Sequence, residues 1–335
     1  MTQGPKYDTE ELRKKYGKYY SAFVTLTYQC QCDCKHCGIE LFKKNDQAKI
    51  LNTEEIKHLV LDQLQGCGIS GAYLFGGEPT VHKDFLEFIR YGKKIGLFTR
   101  FDTNGVKLAD KDFAKATKDA GISFLFVSLD SANPEVHDKF RGRKGTWNSA
   151  VQGIKNCVEL GIKVGIISVV TKQSLLRGDT KKIIQLGKDL GVFRVQLLTP
   201  MLVGRWHKSK ELKLTKEEMK QFLSLLESDF VFWEDTSDGT APFFCATMAK
   251  GNMATTVYGD VQPCCYIPIT FGNVRNEPLK TITERMWSSS FYKQKMLYPF
   301  DCPMNDESFR KKILKLTERK STYPVEYDES IFSSK

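Results

Sequence analysis

Four thiols fall within eight residues, at Cys30, Cys32, Cys34 and Cys37. Fully extended, this segment would span roughly 24 Å, so thiolates serving one metal centre require it to wrap as a loop. Such density argues for metal ligation rather than for scattered core cysteines. Zinc would take four closed nitrogen or sulfur ligands, with Cys32 or His36 completing the set. An iron–sulfur cluster would take Cys30, Cys34 and Cys37 on three irons and leave the fourth open. The loop by itself leaves both readings standing.

A second group of thiols lies far downstream, at Cys245, Cys264, Cys265 and Cys302. The stretch 257–264 reads as a hairpin with Gly259 and Asp260 at its turn, which returns the chain so that Cys264 approaches Cys245. Zinc on these four cysteines, or a structural group without metal, are the alternatives to an iron–sulfur centre, and adjacent Cys264 and Cys265 strain any single centre they share. Cys157 reads as a core residue and Cys67 as structural.

Between the two groups lie segments suited to a ligand. In Gly76-Gly77-Glu78-Pro79 the glycines let backbone approach a ligand closely, because no Cβ intervenes. Pro79 fixes the turn, and a buried carboxylate at Glu78 would require a cationic partner. Thr103 and Asn104 end one strand, and Ser128, Asp130 and Ser131 follow another. Short polar side chains there can bond a ribose or a carboxylate, and turn formation is the plain alternative.

These residues are positioned by an alternation of strands and helices. The run 22–28 is apolar and β-branched and reads as a strand that ends in the cysteine loop. A helix over 52–64 follows, with Thr53 as its cap and Ile56, Leu59, Val60 and Leu64 on one face. Strand 71–75 runs into Gly76. Helix 85–95, strand 97–102, helix 108–120 and strand 122–127 come next, then a loop holding Arg141 and Gly142. Helix 147–160, strand 162–170, helix 179–190 and strand 193–198 complete six strand–helix alternations, which argue for a parallel sheet with crossover helices. The count does not distinguish an open sheet from a curled one. Residues 200–240 read as a connector with a helix over 215–227. Another helix covers 279–287, and the segment from Phe309 shows no clear period.

The spacing C-x3-C-x2-C of Cys30, Cys34 and Cys37 resembles that of the radical S-adenosylmethionine (radical SAM) enzymes, and Gly76-Gly77-Glu78-Pro79 resembles their GGEP motif one strand–loop–helix unit later. The resemblance implies a [4Fe–4S] cluster on the three cysteines, with the amine and carboxylate of SAM on the open iron. It assigns Gly76 to Pro79 to the methionine amino group, and Thr103, Asn104, Ser128 and Asp130 to the SAM site. Arg141 pairs with the SAM carboxylate, which a guanidinium fork suits. Cys32 lies outside the pattern, and His36 stands where the family carries an aromatic residue. The implied fold is a partial six-unit (β/α) barrel resembling a TIM barrel, with the active site at the strand C-terminal ends.

The C-x13-G-x4-C arrangement of Cys245, Gly259 and Cys264, with the helix and Cys302 beyond it, resembles the auxiliary-cluster modules called SPASM and twitch. A full SPASM module has seven cysteines. Three or four here allow one auxiliary Fe–S cluster, and Asn305 stands where a last C-x2-C thiolate would be, so Cys265 supplies the fourth ligand or one iron is open. The expected organisation is a lead-in over 1–20 with a short helix at 9–15, a radical SAM core over 21–200, a connector over 201–240, an auxiliary module over 241–308 and a tail over 309–335. The function implied is reductive cleavage of SAM to a 5′-deoxyadenosyl radical that takes hydrogen from a peptide, a small metabolite or a cofactor precursor. A low-potential electron donor of the flavodoxin or ferredoxin type serves as reductant. The competing expectation is a zinc-stabilised binding or regulatory scaffold on the same fold.

Composition fits a cytoplasmic globular protein. The chain has 335 residues, ten cysteines and a net charge of +10. It holds no apolar run approaching the roughly 18 residues of a membrane helix, and its N-terminus lacks the apolar core of a signal peptide. The lysines are scattered without an RNA-binding motif, so the surface reads as solvated rather than as a nucleic-acid site.

Overall fold

Runs of β-branched and aromatic residues form the first six strands, β1 (Ser21–Thr27), β2 (Gly71–Gly76), β3 (Phe98–Thr103), β4 (Phe124–Ser128), β5 (Val164–Val169) and β6 (Val195–Leu198). The computed structural model describes residues 21–44, 49–227, 229–234, 245–248, 250–293, 302–318, 320 and 322–333. The lead-in, with its expected helix at 9–15, lies outside them. Neighbouring strands pair in parallel from β1 to β6, in sequence order, and every residue of β5 is buried. Burial on both faces is what a parallel sheet covered by crossover helices demands. One face of each strand meets those helices. Val24, Leu74, Phe101, Leu125 and Ile166 pack there with Phe85, Phe88 and Ile154. The other face lines the interior of a curled sheet, the partial barrel expected.

The sheet is larger than expected. The supposed connector holds β7 (Val231–Trp233), parallel to β6. On the other edge β8 (Asn252–Thr255) runs parallel to β1, with Ser21 opposite Asn252, and β9 (Val261–Gln262) is antiparallel to β8. The resulting order is β7-β6-β5-β4-β3-β2-β1-β8-β9. The second cysteine group is therefore built directly onto the edge of the barrel.

Several local readings are corrected. The helix after the cysteine loop is capped by Asn52, not Thr53. Asn52 Oδ1 accepts from Glu55 N (2.9 Å) and Glu55 Oε2 from Asn52 N (2.8 Å), a capping box. Its middle, Ile56–Leu61, is π-helical. Arg141 ends a helix, Pro134–Arg141, rather than sitting in a loop: Asn133 caps its start and Gly142 closes it in the left-handed conformation. In the expected hairpin, Val257 belongs to the turn. Thr256 Oγ1 there accepts from Tyr258 N and Asp260 N, and Gly259 has φ 91°.

The segment from Phe309 is ordered on the core. Helix Glu307–Thr317, capped by Asp306, buries Phe309 and Ile313, and β11 (Val325–Glu326) pairs in parallel with β10 (Ile269–Thr270). Arg275 ties the same region to the barrel. Its Nε and Nη2 bond both oxygens of Glu55 (2.8 and 2.9 Å), and its Nη1 reaches Lys49 O (2.8 Å). Among the described residues, no helix is long and apolar enough to cross a membrane.

Candidate active site

The cysteine loop leaves the end of β1 and is gripped from two sides. On one side Asp33 N and Lys35 N donate to Arg141 O (3.0 Å) and Phe140 O (3.1 Å) at the end of helix Pro134–Arg141. On the other, Arg205 N donates to Cys37 O (3.0 Å), and its guanidinium reaches Cys34 O (3.0 Å), Asp33 Oδ1 (2.5 Å) and Glu40 Oε2 (3.2 Å). The preceding Gly204 has φ 50°, and a Cβ there would lie 2.0 Å from Cys37 O, so only glycine permits this approach. By sequence the stretch 201–210, with Gly204, Arg205, Trp206 and His207, reads equally as the mouth of the barrel or as a surface loop. Met201, Val203 and Trp206 line the cavity, and the grip of Arg205 on the cysteine loop spans 171 residues.

The segment after β2 closes on the same loop. Gly77 N donates to Thr27 O (2.8 Å) and Glu78 N to Gln29 O (2.9 Å). A Cβ on Gly77 would stand 2.3 Å from Gln29 O. These bonds place Glu78 beside the thiols.

Glu78 is 2% exposed. Its Oε1 accepts from Thr80 Oγ1 (2.6 Å) and Thr103 Oγ1 (2.7 Å), and its Oε2 from Asn104 N (2.8 Å). The cationic partner expected from burial is not supplied by the described residues: neutral donors hold the carboxylate instead. Burial pushes its pKa up and these hydrogen bonds offset part of the rise. A buried carboxylate that faces a cavity and is bonded only by neutral donors is a site for a ligand ammonium. Thr103 and Asn104 thus stand beside Glu78, and Asn104 Nδ2 also bonds Gln31 Oε1 (3.1 Å) in the cysteine loop.

One cavity of about 1170 Å³, including its open mouth, collects the candidates at the C-terminal ends of the strands. Cys30, Cys34, Cys37, Gly76 to Pro79, Thr103, Asn104, Ser128 and Arg141 all line it. Asp130 does not. Its carboxylate lies behind Arg141, accepting from Arg141 Nε (2.7 Å) and from Val169 N (3.0 Å). Burial pushes that carboxyl up, but Arg141, His36 and His137 outweigh it and its pKa is lowered. Arg141 Nη1 in turn stands 3.9 Å from Cys34 Sγ.

The donor chemistry fits a thiolate-held cluster. A hydrogen bond from Cys32, assisted by Arg141, lowers the Cys34 thiol to about 6 against burial, and Cys30 is lowered by the same neighbour. Cys32, outside the motif, is thus a donor between two candidate ligands. Burial raises Cys37. His36 stacks on Phe140 with ring centroids 4.5 Å apart, and burial depresses its pKa to about 3, so it is a neutral imidazole. Its Nδ1 is buried without a hydrogen-bond partner on the cavity wall, an orphaned polar atom that a ligand would satisfy.

Part of the cavity wall is apolar, and no local sequence signal marks it. Tyr73 and Phe75 of β2, Ile167 and Val169 of β5, and Tyr266 form it. Tyr266 follows Cys265, and its ring fills the space where Gly38 lacks a Cβ, 2.6 Å from that position. The auxiliary cysteines themselves do not line the cavity. Cys264 and Cys265 share a hydrogen bond that lowers the first thiol, whereas burial above all raises the second. Cys245 lies within electrostatic reach of Cys264, and Cys302 of Cys265. Cys265 is 4% exposed within this group.

Asn305 has a structural task. Its Oδ1 accepts from Leu202 N (2.9 Å) and its Nδ2 donates to Pro200 O (3.0 Å), fastening the segment after β6. Replacing it by alanine leaves these buried backbone groups unsatisfied. The expected cost is about 1–3 kcal/mol of stability in denaturant titration, with iron content unchanged. A loss of iron instead would mean that Asn305 serves the metal.

Comparison with known proteins agrees with this geometry. A family model described as the Radical SAM superfamily matches residues 24–185, and one for the SPASM iron-sulfur cluster-binding domain matches residues 245–315. The chain is 35% identical over 201 residues to the Fe-coproporphyrin III synthase of Methanosarcina barkeri, covering 60% of this chain and 49% of that protein, about half its length. It is 28% identical over 285 residues to the AdoMet-dependent heme synthase of the same organism, covering 77% of this chain and 80% of the relative. Among solved structures, Streptococcus suis SuiB bound to S-adenosylmethionine superposes with a TM-score of 0.64 at 17% identity. That match covers 97% of this chain and 80% of SuiB, a likeness of fold.

Proposed function

We propose, for a chain that belongs to the Radical SAM superfamily and carries a SPASM iron–sulfur cluster-binding domain, that the cavity at the strand ends binds SAM beside Cys30, Cys34 and Cys37 and seats a substrate against its apolar wall. Membership makes it a radical SAM enzyme with a SAM-binding [4Fe–4S] cluster and an auxiliary Fe–S cluster. When bound, these cofactors supply one-electron cleavage of SAM to a 5′-deoxyadenosyl radical that takes a hydrogen atom from the substrate. The protein's part is positioning and exclusion of water.

The observation that carries the reading is Glu78, a buried carboxylate whose only described partners are neutral, placed in one cavity with the three thiols. It receives the SAM ammonium. Thr103 and the Asn104 amide hold that carboxylate in place, and Ser128 offers a hydroxyl to the ribose. Arg141, locked by Asp130, faces the SAM carboxylate. The orphaned Nδ1 of His36 meets a polar edge of the same ligand.

Cys245, Cys264, Cys265 and Cys302 hold the auxiliary cluster, and Cys265 completes its ligands, since Asn305 is engaged elsewhere. The substrate is a cofactor precursor or a peptide. Two relatives named for heme and Fe-coproporphyrin III synthesis, with the aromatic wall of Tyr73, Phe75 and Tyr266, make an iron porphyrin or its precursor the first compound to test. A low-potential carrier supplies the electron.

The test is equilibrium binding of SAM to anaerobically reconstituted protein. Glu78→Gln keeps the size and removes the charge. It is expected to weaken SAM binding about tenfold or more with iron unchanged, the order of a charge-assisted hydrogen bond. Wild-type affinity in this variant would sink the assignment.

A further inference from the structure

The cysteine loop has two faces. Its thiols turn toward the cavity, while Asp33 and Lys35, which alternate with them, are exposed. The chain between cavity and solvent is therefore one peptide segment thick. The backbone bonds from Asp33 and Lys35 to Arg141 and Phe140 bring a second segment alongside, and Lys139, Arg143 and Lys144 on it are also exposed. None of Lys35, Lys139, Arg143 and Lys144 has an ion-pair partner among the described residues. Arg143 only extends Nη1 to Gln31 O (3.4 Å). Two of the acidic groups nearby are engaged, while Glu135, one helical turn before Lys139, is exposed with no ion pair among the described residues. Asp33 is paired with Arg205, and Asp138 accepts from Gly145 N and Trp147 N.

We propose that this patch of four unpaired cations, on the outer face of the cysteine loop, docks an acidic one-electron carrier protein. The inference rests on the reading of Cys30, Cys34 and Cys37 as the cluster ligands. Electron transfer needs proximity more than a large interface, and uniform charge on a small surface raises the rate of a brief encounter. An acidic rim around a reduced flavin or iron–sulfur group complements the patch and brings the donor within one peptide thickness of the thiols. In the step, the carrier gives up one electron to the group held by those thiols, and no atom or proton changes hands.

The test uses the full-length chain, a purified acidic flavodoxin as probe, and two triple variants of equal charge change. Lys35→Glu, Lys139→Glu and Lys144→Glu together reverse the patch. Lys155→Glu, Lys181→Glu and Lys182→Glu alter exposed lysines on the outer helices Thr146–Glu159 and Asp179–Asp189. The patch variant is expected to bind flavodoxin about tenfold or more weakly at low ionic strength, an effect that salt removes, with the outer variant near wild type. Its dithionite-driven SAM cleavage and iron content should stay within twofold of wild type. Equal weakening in both variants, or none in the patch variant, would overturn the proposal. So would a short single-stranded RNA binding the patch more tightly than flavodoxin does. Binding is read with or without iron, so failure of the wild type to cleave SAM with dithionite would count against the cavity reading alone.

Discussion

Replacing Cys30, Cys34 and Cys37 together by alanine is expected to abolish SAM cleavage and to lower the iron of the anaerobically reconstituted protein from about eight per chain to about four, the content of one [4Fe–4S] cluster. The thiols line one cavity, and Cys30 and Cys34 are already biased toward thiolate by Cys32, with Arg141 assisting at Cys34. The loop that carries them is held by Arg205 and by the end of helix Pro134–Arg141 through backbone groups, so alanine side chains leave its path supported. Loss of iron would then report lost ligands rather than a collapsed fold, and an unchanged melting profile of the iron-free chain checks this. The measurement is iron, sulfide and zinc per chain, together with 5′-deoxyadenosine released under dithionite. Zinc at this site with no iron uptake would restore the zinc-scaffold reading. A fall from four irons to none would leave the downstream cysteines without a cluster.

The barrel and its ligand-facing ends were legible because the signals are local. Apolar β-branched runs, each followed by a helical period, placed β1 to β6, and the chemistry-bearing residues stood just beyond them. What escaped depends on partners far away in sequence. β7 is three residues long and becomes a strand only against β6, and β8 only between β1 and β9. The wall residues Tyr73 and Ile167 could not be told from core, since a strand buried on both faces shows no alternation. The helix Pro134–Arg141 was readable in principle: Asn133 before Pro134 is a cap followed by an N1 proline. Phe309, Ile313 and Leu316 likewise carried a helical period in the segment first read as patternless. Glu78 was assigned correctly to burial, but its neutral partners come from Thr103 and Asn104, a strand away.

Replacing Cys245 and Cys264 by alanine should have a different signature: about four irons lost, SAM cleavage within about threefold of wild type, and product formation reduced a hundredfold or more. The division follows from position. Neither cysteine lines the cavity, whereas Tyr266, one residue beyond Cys265, packs on Gly38 in the cysteine loop and forms part of the apolar wall. The module therefore reaches the cavity through Tyr266, whereas the three thiols and Glu78 line it directly. Removing two ligands of the auxiliary group should leave Glu78, Arg141 and the three cysteines in place, so cleavage persists without a productive outcome. A Tyr266→Phe variant keeps the packing on Gly38 and is the control for collapse of the wall. It should hold both clusters' iron. Cys265→Ser then separates the two ligand sets: a fall in auxiliary iron comparable to that of the double variant places Cys265 on the cluster, and full retention places an exchangeable ligand there. Equal loss of cleavage and product in the Cys245/Cys264 variant would refute the separation of tasks, because it would mean that the auxiliary group supports the cysteine loop itself.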